Sequence, residues 1–147
     1  MTANKKMLLP LCAALFLWNA CSKDDDRTEE FSIIGVWSPS RKIVVANNGT
    51  TLSNTDYSAC HKASTFDFRA DNKMTSQIYD LNATLDCENL GSETVSYSYD
   101  HNAKKLVIDG KNVEVISRTN NELQFVDDYD DVDGDGIDEK IITVFVK

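Results

Sequence analysis

Eight carboxylates crowd into the thirteen residues from Asp127 to Glu139, with no base among them. Held in one tight loop they repel one another, and physics offers two ways out: an open, solvated loop, or a bound cation. Asp131-x-Asp133-x-Asp135-Gly136 favours the cation, because alternate oxygens can converge while the glycine permits a sharp turn. A donor set of hard oxygens selects Ca²⁺ over a transition metal. The other chemistry-bearing residues are sparse: four cysteines (Cys12, Cys21, Cys60, Cys87) and two histidines, His61 and His101. They form no Ser-His-Asp, Cys-His or paired-His arrangement, so the chain reads as non-enzymatic. A net charge of −9 is wrong for neutralising phosphates and excludes nucleic acid as a partner.

The acidic segment departs from an EF-hand, since position twelve of that register is Ile142 rather than Glu and no helical pattern flanks it. With Glu139 at position nine it resembles instead the calcium loops of FG-GAP repeats, which join two β-strands. That resemblance implies the side chains of Asp131, Asp133, Asp135 and Glu139 as ligands, together with the backbone carbonyl of Ile137. The ion would be structural and would pin one hairpin.

The rest of the charge is also local. Residues 21–30 hold five acids against two bases, residues 1–20 hold Lys5 and Lys6 and no acid, and the remainder is balanced. Lys5-Lys6 and the apolar run Met7 to Trp18 are too short to span a bilayer and fit an export signal. Ala20-Cys21 follows, and the segment resembles the lipobox where a bacterial lipoprotein is cut and its cysteine acylated. Ser22-Lys23-Asp24-Asp25-Asp26 is similar to the acidic export signal of surface-exposed Bacteroidetes lipoproteins. This resemblance implies a signal peptide over 1–20, an acylated Cys21 with an acidic tether over 21–30, and a folded domain over 31–147. The protein is then expected at the outer membrane, lipid-anchored and exposed at the cell surface, with the membrane itself as a partner. An exported domain sits in an oxidising compartment, so Cys60 and Cys87 read as a disulfide; two separate buried thiols are the alternative.

What must position these residues is a series of short strands. Phe66 and Phe68 alternate with polar neighbours, as do Val95, Tyr97 and Tyr99, then Leu106 and Ile108, Val113 and Val115, Leu123 and Phe125. Ile33–Ala46 reads as the first strand, Met74–Tyr79 as another and Ile141–Val146 as the last, apolar on both faces and so covered on both or paired in a subunit contact. Turn residues separate the runs, with Asp109-Gly110 the strongest hairpin signal. Asn47–Asp56 and Leu81–Gly91 read as longer, irregular rim loops. The sum is an all-β domain of about eight strands in an antiparallel meander, closed into a barrel to remove its edges.

Ile34-Gly35-Val36-Trp37 resembles the Gly-x-Trp signature that opens lipocalins. Cys60 before Phe66-Asp67-Phe68-Arg69-Ala70-Asp71-Asn72-Lys73, then Cys87 before Val95-Ser96-Tyr97, is similar to the lipocalin-like domains of Bacteroidetes lipoproteins. No C-terminal arginine is available to cover Trp37, which leaves Lys140 or Lys147. A small barrel can hold one small hydrophobic ligand, with Phe66, Phe68, Tyr97, Tyr99 and Phe125 as its wall; alternatively those side chains simply fill it. The competing function is a structural or interaction module of an envelope complex, binding a protein or a glycan through its rim loops.

Overall fold

Each alternating run after residue 31 forms a strand, because one face of each finds an apolar interior. The computed structural model describes residues 31–147. They form nine strands: β1 (Gly35–Val45), β2 (Thr51–Asp56), β3 (Thr65–Phe68), β4 (Lys73–Leu81), β5 (Cys87–Asp100), β6 (Lys105–Ile108), β7 (Lys111–Arg118), β8 (Glu122–Asp130) and β9 (Glu139–Val146). A single 3-10 turn, His61–Ala63, lies between β2 and β3.

All pairings are antiparallel between neighbours, and β9 returns to β1 through Lys140–Val146 against Ser38–Val45, closing the ring. Along its other edge β1 pairs first with β3, at Gly35–Trp37, and then with β2, at Arg41–Val45. β2 and β3 therefore act as one strand interrupted by residues 57–64, and the barrel has eight staves.

Two expectations are corrected. Asn47–Asp56 is irregular only over residues 47–50, since β2 occupies Thr51–Asp56, and Leu81–Gly91 only over residues 82–86, since β4 ends at Leu81 and β5 begins at Cys87. Both stretches stand off the core and are exposed along most of their length. With neither face buried, no hydrophobic alternation marks them as strands.

The core joins Ile33, Trp37, Phe68, Met74, Tyr97, Leu106, Leu123, Phe125 and Phe145. Phe68 meets Tyr97 edge to face at 4.9 Å, and Phe125 stacks on Phe145 at 4.7 Å. Ile142, Thr143, Val144 and Phe145 are all buried, so β9 is covered on both faces within one chain.

One end of the barrel is sealed. Trp37 donates from Nε1 to the Ile33 carbonyl at 2.7 Å. Lys147 lies 4.5 Å above its ring and donates to the Ser32 and Ile34 carbonyls. Gly35 has φ +129°, and a Cβ there would lie 3.2 Å from Lys147 Cε; the glycine of the signature makes room for the cap. The Arg118 guanidinium lies over the rings of Phe31 and Tyr99.

Candidate ligand cavity and acidic loop

The other end is open because one hairpin is short. β6 and β7 turn at Asp109-Gly110, whose φ values of 49° and 74° belong to a type I′ turn. Residues of β5 before Ser96 extend past this turn and pair only with β4. Beside the lowered wall lies a cavity of about 310 Å³, at the lower end of the range for small-molecule sites. Phe66, Met74, Val95, Ile108, Val113, Phe125 and Val126 supply its apolar lining, and Ser76, Glu93, Asp109, Lys111 and Asp127 its polar groups.

Of the five aromatic residues expected to form one wall, only Phe66 and Phe125 meet here. Phe68 and Tyr97 pack in the core beneath, the Tyr97 hydroxyl donating to the Arg69 carbonyl at 2.8 Å. Tyr99 lies toward the sealed end, with Phe31 at 5.5 Å. Alternation alone makes Phe68 and Tyr97 interior residues but does not say how high on the barrel each sits. Sequence reasoning passed over Asp127, which it read as one acid among eight. Alternation could not have singled it out, because the bulge between Val126 and Asp128 breaks the parity of β8 at Asp127.

Residues 57–64, which cross between β2 and β3, lie beside Asp127 of the cavity wall. Tyr57 stacks on His61 at 4.1 Å and hydrogen-bonds the Thr143 hydroxyl at 3.0 Å. Asp127 bonds the same threonine and lies close enough to His61 to feel its charge. Burial pushes the Asp127 carboxyl up and Asp128 pushes the same way, while Thr143 and His61 pull it down. The segment is fastened at both ends of its 3-10 turn. Cys60 is disulfide-bonded to Cys87, and Ser64 exchanges hydrogen bonds with the Tyr79 backbone on β4.

The acidic residues form the β8–β9 connection. Asp131 accepts from the Gly134 and Gly136 amides, Asp133 from Asp135, and Asp135 from Ile137. Glu139 is 2% exposed and accepts from the Val132 amide at 2.8 Å. Carboxylate oxygens of Asp131, Asp133 and Glu139 come within 4.8 Å of one another. Asp135 does not join that group, and the Ile137 side chain is exposed. The three gathered carboxylates suit a hard divalent ion, because all are oxygen donors and two stay open to water that would complete the shell. Cys21 lies outside the described residues.

A family model described as a lipocalin-like domain matches residues 33–125. No curated protein and no solved structure gives a significant match. The matched span ends at Phe125, so the acidic connection and β9 lie beyond it.

Proposed function

This chain belongs to the lipocalin-like domain family, and on that premise we propose that it is a non-enzymatic binding module that takes one small hydrophobic molecule into its open end. The observation that carries the reading is the cavity of about 310 Å³ with seven apolar residues on its wall. Transfer of apolar surface from water supplies the affinity, at about 25 cal/mol per Å² before ordering costs. Nile red, an uncharged dye that brightens in apolar surroundings, tests it. The full chain should take up one equivalent, and Val113→Trp, which fills the cavity, should abolish uptake. No uptake by the wild type sinks the carrier reading.

The proposal extends to place and to metal. The basic, apolar and acidic order of residues 1–30 supports a lipoprotein acylated at Cys21 and displayed at the outer surface, with residues 22–30 as its tether. A multi-acyl anchor holds where a single chain is marginal. The convergence of Asp131, Asp133 and Glu139 supports a structural Ca²⁺ in the β8–β9 connection.

A second reading, docking of an envelope protein through the rim, is favoured by one observation. Leu81, Leu85 and Leu90 are exposed around the β4–β5 turn, Leu85 by 76% and with φ +64°. Leu85→Asp should then lose a stoichiometric partner from envelope cross-links; cross-links that persist unchanged remove this reading.

A further inference from the structure

The polar groups of the cavity are unequal in sign. Glu93, Asp109 and Asp127 face it as carboxylates, against the single ammonium of Lys111 and the His61 imidazole close to Asp127. Among the described residues, no ion pair engages Glu93, Asp109 or Lys111. Register explains why the acids point there. Ser76 pairs with Glu93 as Met74 pairs with Val95, so Glu93 shares the inward face with two apolar lining residues. Asp127 stands at the bulge of β8 between Val126 and Asp128.

Glu93, Asp109 and Asp127 stay exposed at the mouth of the cavity, where an ammonium seated among them gains charge-assisted hydrogen bonds while its apolar body leaves water against the wall. We infer that the molecule this cavity accepts is a cationic amphiphile, its apolar body against Phe66, Met74 and Phe125 and its ammonium nitrogen among Glu93, Asp109 and Asp127. This rests on the carrier reading and narrows it to a ligand class. An anionic lipid or fatty acid would place its head against the same three carboxylates, which disfavours it.

Decylamine, decanol and decanoate share one apolar body and differ in head group. Titrated calorimetrically into the full chain below their micelle concentrations, decylamine should bind about tenfold tighter than decanol, the ratio of one charge-assisted hydrogen bond. Decanoate should bind weakest. In Glu93→Gln/Asp127→Asn, which leaves Asp109 in place, the amine-to-alcohol ratio should fall to about twofold. In Asp67→Asn/Glu88→Gln, which removes the same charge away from the cavity, the ratio should stay. Glu93→Gln alone, on an exposed strand, serves if the double variant misfolds, with the ratio falling about threefold.

Equal binding of decylamine and decanol, or a preference left unchanged when Glu93 and Asp127 are neutralised, overturns the head-group assignment while leaving the carrier reading standing. A ratio that falls as far in Asp67→Asn/Glu88→Gln also overturns it, as attraction to overall charge. If none of the three binds, both fall.

Discussion

Lys147 does three things with one side chain. It covers the Trp37 ring and holds two carbonyls of the segment leading into β1. A cation–π contact of about 0.5–2 kcal/mol and two charge-assisted hydrogen bonds are lost together in Lys147→Ala. We expect a loss of about 1–3 kcal/mol in urea unfolding, most of it recovered by Lys147→Arg. Asp127 makes an electrostatic prediction. Burial holds its carboxyl above the ordinary value of 3.8, so ionising it costs the folded state. That cost is present above the folded value and vanishes as pH falls to the unfolded one. Asp127→Asn should therefore melt higher than wild type near neutral pH, with the gap closing as pH falls toward the ordinary carboxylate range. A gap that does not change with pH, measured by thermal scans of both proteins, counts against this account.

At the scale of elements, the β8–β9 connection and the crossing segment are two long excursions, each secured by different chemistry. The first is a hairpin whose tip carries the acidic run, organised by backbone amides around Asp131 and by the buried Glu139. If Ca²⁺ binds there, mass action stabilises the fold by about 2.7 kcal/mol at a hundredfold excess over Kd. Added Ca²⁺ should raise the melting temperature and EDTA lower it, with the difference lost in Asp133→Ala. Equal melting with and without metal removes the site. The crossing segment is secured covalently, since Cys60 and Cys87 lie 27 residues apart, a closure worth about 3–4 kcal/mol in the chain-entropy model. Its location tells more than its energy. It ties the interruption between β2 and β3 to the start of β5.

For the whole molecule, the net charge of −9 separates into a basic N-terminal stretch, an acidic stretch over residues 21–30 and one acidic hairpin. No helix among the described residues is long and apolar enough to cross a membrane. Attachment in the proposed reading therefore rests on Cys21. Cys21→Ala should move the protein from the membrane pellet to the soluble fraction without changing the melting of the barrel. Continued pelleting refutes acylation as the anchor. The sealed floor and open rim also give the barrel a polarity. Lys147, Trp37 and Arg118 close one end, while Glu93, Asp109 and Asp127 stand at the other.

Much of this was legible in the chain itself. All-β content, the antiparallel order and the Asp109-Gly110 turn follow from local pattern, because alternation and turn geometry act over a few residues, and the pairing of Cys60 with Cys87 follows from the count of cysteines left after residue 31. Strands that leave the core, β2 and the outer half of β5, carried no such mark, since alternation records burial rather than backbone conformation. Which of Phe66, Phe68, Tyr97, Tyr99 and Phe125 would see a cavity depended on height along the barrel, and only the closure of β9 on β1 sets that. The same closure turned Asp127 inward and brought Lys147 onto Trp37, across 110 residues of chain. Parity is a property of the sequence, whereas stagger between distant strands is decided by ring closure and by the bulges that make closure fit.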